Sequence, residues 1–218
     1  MEIARVQLAR SIWLFDTGDL NPQGAQIFPD LFLKAIERYG FRRYPKPEEF
    51  LEAGKSRKFE DGSFMYEGRK FSVSVELWGD GLIADTQHST DASDAFLADL
   101  IQWMGVYLGV KYPSSMTRKR AYRSELIVYS SRQLAGLCAS LNALSDAIHE
   151  LAGEPVEAAG LIYSSEQKRA FFTFDRRVGE EFEANKFYTA AMTKTAVHIQ
   201  ILQRLGEVLE RGTQTAKV

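Results

Sequence analysis

The chain has 218 residues, 45% of them hydrophobic and 26% charged, a balance that excludes a disordered polymer and leaves ample material for a core. Its 27 Lys and Arg against 29 Asp and Glu give a formal net charge of −2, so no global field draws in nucleic acid or an anionic membrane. The single cysteine, Cys138, excludes an intramolecular disulfide and a cysteine-based metal cluster, and a reducing, cytoplasmic setting is expected.

Val6 to Phe15 alternates with a two-residue period and is expected to be a strand with Val6, Leu8, Ile12 and Leu14 on its buried face, Arg10 being the exception. Arg5 and Arg10 inside this apolar stretch, with no small-residue cleavage pattern after it, favour a strand over a signal peptide. Turn residues follow at Asp16–Asp19 and Asn21–Gly24. Ile27, Leu31, Phe32, Ala35, Ile36 and Tyr39 then recur at helical spacing up to a stop at Gly40. Phe41 to Arg57, with Pro45 and Pro47, reads as an irregular crossing with one helical turn at Glu48–Ala53. Phe59–Tyr66, Lys70–Trp78 and Leu82–Gln87 are expected to be a three-stranded meander turning at Glu67-Gly68 and at Gly79-Asp80-Gly81. Ser89, Thr90 and Asp91 supply cap oxygens for a helix whose stripe runs from Phe96 to Leu108 and ends at Gly109.

A polar, basic segment from Lys111 to Arg123, with Tyr112 and Tyr122 inside it, is expected to link two halves. The order of elements then begins again. Glu125–Ser130 reads as a strand, and Gln133–Leu151 as a helix striped by Leu134, Leu137, Cys138, Leu141, Leu144, Ile148 and Leu151. Val156–Tyr163, Arg169–Asp175 and Glu183–Ala190 follow as strands, and Val197, Ile201, Leu202, Leu205, Val208 and Leu209 mark the last helix.

The expected fold is therefore α+β: two β-α-β-β-β-α halves, residues 1–110 and 124–212, joined by the linker 111–123, with a polar tail at 213–218. Joining the halves edge to edge into one curved, mainly antiparallel sheet with helices on one face buries most surface and makes one domain. The hairpin and capped helix of Phe71–Gly109, preceded by a strand and a helix, resemble the closing part of one repeat of the TATA-box-binding-protein fold. That resemblance implies a duplicated fold, and the family's insertion of aromatic wedges into DNA is not carried over with it. Asp19-Leu20-Asn21-Pro22-Gln23-Gly24, Glu37-Arg38-Tyr39 and Asp85-Thr86 also resemble landmarks of an uncharacterised bacterial protein family, which implies no named activity.

Chemistry has few footholds. His88, His149 and His198 include no i, i+4 pair, so no metal site is expected. No Gly-rich loop with Lys, dinucleotide fingerprint or Gly-x-Ser-x-Gly elbow occurs, and no cofactor is expected. Asp85 and His88, with Asp91 or Glu76 orienting the imidazole, form a candidate acid–base corner, against which stands the plain role of helix cap and turn. Alternation on Lys70–Trp78 leaves Ser72, Ser74, Glu76 and Trp78 opposite the helices, where Trp13, Phe15, Tyr129, Phe171 and Thr173 are expected to join them as an aromatic, polar binding face. Arg118, Lys119, Arg120 and Arg123 form a basic patch that fits a solvated linker better than a phosphate contact. The expected function is non-enzymatic binding or assembly, with this sheet face or a strand edge engaging a protein partner or a second copy. The alternative is a small-ligand or nucleic-acid binder on the concave face, and no membrane partner is expected.

Overall fold

In the computed structural model, residues 1–20, 28–46, 48–49, 55–108, 119–131, 134, 139–153, 156–177, 179 and 184–215 are described. The turn at 21–24, residues 50–53 of the helical turn expected at Glu48–Ala53, the basic stretch Lys111–Arg118 and Cys138 lie outside them. The element order is β1 (Glu2–Leu14), α1 (Phe28–Tyr39), β2 (Arg57–Tyr66), β3 (Arg69–Trp78), β4 (Gly81–Thr86), α2 (Thr90–Leu108), then β5 (Lys119–Tyr129), α3 (Ala139–Ala152), β6 (Gly160–Tyr163), β7 (Phe172–Arg176), β8 (Lys186–Ala191) and α4 (Thr195–Thr215). The protein is α+β, with one eight-stranded antiparallel sheet in the order β2-β3-β4-β1-β5-β8-β7-β6. No helix among the described residues is long and apolar enough to cross a membrane.

Two compact units divide the chain, Leu8–Ser124 and a second made of Met1–Gln7 with Glu125–Val218, and each has its own hydrophobic cluster. In the first, Phe32, Ala35 and Tyr39 of α1 and Phe96, Leu97, Leu100, Trp103 and Met104 of α2 pack with Phe59, Val73, Val75, Leu82 and Ala84 of the sheet. α1 stops where the sequence puts a glycine: Gly40 takes φ 65°, a left-handed conformation that costs glycine little, and Gly40 and Phe41 both donate backbone N–H groups to the Ile36 carbonyl. α2 is capped by Ser89, whose Oγ accepts the Ala92 N–H at 3.1 Å.

β1 departs from its expected phase. Ala9, Ser11, Trp13 and Phe15 are buried, whereas Leu8, Ile12 and Leu14 are half-buried and Val6 packs against the cluster of the second unit. The reason is the seat of α2. Ala9, Ser11, Ala84, Ala92 and Ser93 have no exposed surface, and residues this small let the first turn of the helix lie close to the strands. The Ser11 and Ser93 hydroxyls stand 2.8 Å apart and reach the Thr90 carbonyl at 3.1 and 3.0 Å.

A second difference concerns the linker. Lys119–Arg123 is the beginning of β5, so the expected strand starts six residues early, and the alternation Tyr122, Ser124, Leu126, Val128 carries a half-buried to buried face along it. In the second unit Leu126, Val128, Phe172, Phe174 and Phe187 meet Leu202 of α4. His198 of α4 is fully buried, its Nε2 2.9 Å from the Thr189 hydroxyl, which donates to the Thr173 carbonyl at 2.7 Å. The hydroxyl has one proton, so the imidazole donates through Nε2–H.

The two sheet edges differ. At β2 a bulge between Phe59 and Gly62 holds Asp61 at φ 56°, and Arg43 exchanges backbone hydrogen bonds with Glu60, which blunts that edge. β6 at the other edge is four residues long, with Ile162 67% and Tyr163 58% exposed.

Two outcomes follow from the first cluster. Phe96 is fully buried with ring centroids 5.0 Å from Tyr39 and 5.5 Å from Phe64, so Phe96→Ala is expected to lose about 3–5 kcal/mol in urea unfolding. Tyr39 donates its hydroxyl to Asp99 at 2.7 Å, and burial first, then this bond to a carboxylate, holds the phenol above the ordinary tyrosine range. A pKa raised by folding means that its share of stability is intact below the unfolded value, about 10, and drains away as pH climbs beyond it. Unfolding titrations above that pH should show a shallower decline in Tyr39→Phe than in the parent chain.

Candidate functional site

The cross-strand register lays out the side of the Leu8–Ser124 sheet opposite α1 and α2 in rows. Trp78 pairs with Gly81, which pairs with Leu14; Lys58 pairs with Glu76, then Ile83, then Ile12; Ser74 pairs with Asp85, then Arg10; and Ser63 pairs with Ser72. Each of these residues alternates with a neighbour on the helix side, such as Val73 and Val75 on β3 or Leu82 and Ala84 on β4. The result is an apolar end, with Trp78 40% exposed and Leu14, Ile12 and Ile83 half-buried, grading into a hydroxyl-rich end.

Gly81 is held to glycine by the close approach of β1. A Cβ there would overlap the Trp13 carbonyl oxygen.

Two ion pairs stand on this side. Arg10 Nε and Nη2 each reach one Asp85 oxygen at 2.7 Å in a bidentate, partly buried pair, and Lys58 Nζ lies 2.5 Å from Glu60. The sequence marks Arg10 as the misfit of an apolar strand; its partner, 75 residues away, is set by the β1–β4 register, which no spacing within either strand encodes.

Ser72, Ser74, Glu76 and Trp78 thus stand on the face expected for them. Trp13 and Phe15 do not: both are buried on the helix side, at 4% and 2% exposure. Trp13 donates its indole N–H to Asp94 of α2 at 2.9 Å, and Tyr122 donates its hydroxyl to the other Asp94 oxygen at 3.0 Å. Arg120 lies over the Trp13 ring, 4.1 Å from its centroid, so it belongs to this back-side cluster rather than to a continuous basic patch. Lys119 and Arg123 alternate to the other face of β5, and Arg118 lies outside the described residues. Asp94 went unmarked in the sequence, where the signal was an acidic residue four positions after Thr90 on the sheet-facing side of a helix.

Tyr129, Phe171 and Thr173 belong to the second unit. Tyr129 is 39% exposed with Lys186 Nζ 5.5 Å from its ring centre, and Thr173 is half-buried, facing Ile162 and Ala190 in register. Phe171 packs against the hydrophobic cluster of that unit, so it is core margin and not part of an open face.

The acid–base corner does not assemble. Asp85 is engaged by Arg10 on the open side, while the His88 ring rests 4.3 Å from that of Phe71, which shares the strand face of Val73 and Val75, and its Nδ1 is 3.2 Å from Ser89 Oγ. Asp91 is exposed in the first turn of α2, where a carboxylate suits the helix dipole, and Glu76 pairs across the sheet with Lys58 and Ile83. The interior of this unit does hold a cavity of about 50 Å³ among Leu20, Phe32, Phe41, Phe59, Leu100 and Met104, but its walls are wholly apolar and offer no group to orient a reacting molecule.

The chain matches no family model and no curated protein. Its site must therefore be judged by geometry and chemistry.

The Arg10–Asp85 pair is open to direct measurement. Arg10→Met leaves a partly buried carboxylate without its bidentate partner, and a double-mutant cycle with Asp85→Asn is expected to return a coupling of about 1 kcal/mol, read from denaturant midpoints.

Proposed function

We propose that this chain is a non-enzymatic binding protein that takes a protein partner on the open sheet side of its Leu8–Ser124 unit. The observation that carries the reading is Trp78: a large aromatic left 40% exposed on the side opposite α1 and α2, at the head of the Ser72, Ser74, Glu76 row. A rigid ring next to half-buried Leu14, Ile83 and Ile12 supplies an anchor, and the serines and the Arg10–Asp85 pair supply a polar margin. A sheet side suits a protein better than a small molecule, which needs a concave pocket to bury most of its surface. It suits nucleic acid less well, because Arg10 and Lys58 are already paired with carboxylates and the net charge is −2.

The proposal extends to architecture. We take the element order, run through twice, as an internal duplication of the kind found in the TATA-box-binding-protein fold; what supports it is a strand order that reads alike from β2 and from β6. A second reading, addition of a partner strand, is favoured by the contrast between the blunted β2 edge and the exposed Ile162 and Tyr163 of β6.

The test is affinity capture from a lysate of the native organism with the parent chain and with Trp78→Ser in parallel, followed by a binding isotherm for the captured protein. Loss of the anchor should weaken that isotherm about tenfold to thirtyfold with the unfolding midpoint unchanged. A partner held equally by both chains, or a parent chain that retains nothing, counts against the proposal.

A further inference from the structure

The cavity in the core of the Leu8–Ser124 unit has walls of two kinds. One wall is aromatic and braced. Phe59 on β2 holds its ring centroid 5.3 Å from that of Phe32 on α1 and 5.7 Å from that of Phe41, and Phe41 is 5.9 Å from Tyr39. Phe41 also lies against Gly62 at the β2 bulge, where a Cβ would overlap its ring. Rings held on several sides resist the inward relaxation of side chains that ordinarily shrinks a hollow in a core.

The other wall is aliphatic and adaptable. Leu100 and Met104 stand one turn apart on α2, and Leu77 and Leu82 face each other in register across β3 and β4. The unbranched thioether of Met104 reshapes itself to what lies beside it. Leu77 is half-buried at the margin, whereas Leu82, Leu100, Met104 and, on the α1 side, Ala35 are buried.

The space fixes the size of an occupant, and the walls fix its chemistry. A volume of about 50 Å³, against the roughly 10–15 Å³ that one water needs, takes a group of roughly three to five heavy atoms. Water is a poor occupant, because a buried water needs about two to four polar partners and the residues lining this cavity present no hydroxyl, amide or charge. A ligand hydroxyl would be buried there without a partner for the same reason. A hydrocarbon loses no hydrogen bond on entering and gains dispersion contacts with every wall. We propose that this cavity is a binding site for a small hydrocarbon of roughly three to five carbon atoms with no hydrogen-bonding group. The site lies on the helix side of the sheet and does not rest on the sheet-side reading above.

The size of the ligand sets its affinity. So few atoms make too few contacts for tight binding, and a dissociation constant on the order of 1 mM is expected.

Methyl-resolved nuclear magnetic resonance of the full chain under propane tests the proposal, with ethanol, which has the same number of heavy atoms, as its polar counterpart. Propane should shift the methyl resonances of Leu82, Leu100 and Met104 saturably and raise the thermal unfolding midpoint, and ethanol should bind at least about tenfold more weakly. Ala35→Leu and Leu77→Phe add carbon to the space from the helix and from the sheet, and either one that folds should weaken propane binding at least about tenfold. Leu100→Ala enlarges the space and should bind benzene at least about tenfold more tightly than the parent chain does. Propane shifts that are absent, or that fall on exposed methyls instead, overturn the proposal. So does ethanol held as tightly as propane, or a folded filling variant that binds propane like the parent chain.

Discussion

The contact on which the rest of the Leu8–Ser124 unit depends is the close seat of the first turn of α2 on β1 and β4. Two serines and the Thr90 carbonyl form a buried hydrogen-bonded cluster there, and three alanines at no exposure leave room for it. Larger side chains would lift the helix, and unsatisfied hydroxyls at that depth would cost more than the packing returns. Once the helix is down, Asp94 lies within reach of both Trp13 on β1 and Tyr122 on β5, and a single carboxylate ties two strands to one helix.

That seat decides which way every side chain of the unit points. Because strand neighbours alternate, fixing Ser11 and Trp13 beneath α2 sends Arg10, Ile12 and Leu14 to the other side, and the register carries the same choice across to Asp85, Ile83, Glu76 and Trp78. The open side is thus a consequence of the buried one. Arg10 and Lys58 are held by carboxylates there, and the indole of Trp78 is 40% exposed on it.

The sequence made the meander and its phase legible because Val73 and Val75 alternate with Ser72, Ser74 and Glu76 and leave one choice of face. β1 was ambiguous for a physical reason: Leu8, Ile12 and Leu14 make one face apolar, and Ala9, Trp13 and Phe15 make the other apolar too. Side-chain volume, not hydrophobicity, broke the tie, and the small residues Ala92 and Ser93 in the facing helix were the signal. Lys119 and Arg120 hid the start of β5, since charges at a strand end look like a linker until an aromatic ring such as Trp13 is seen to receive one of them. The stripe of α3 was plain in the sequence, but periodicity reports only that a helix has an apolar side; what that side meets is a tertiary fact, and among the described residues Leu144, Ile148 and Leu151 are exposed.

The chain's three tryptophans make the central claim directly measurable, since Trp13 is 4% exposed, Trp103 7% and Trp78 40%. Quenching of native-state fluorescence by iodide, compared between the parent chain, Trp78→Phe and Trp13→Phe, reads out which sheet side is open. The account predicts a single accessible fraction that Trp78→Phe removes and Trp13→Phe preserves. Quenching that survives Trp78→Phe and vanishes with Trp13→Phe would mean that α2 lies on the other side of the sheet, and would contradict the account.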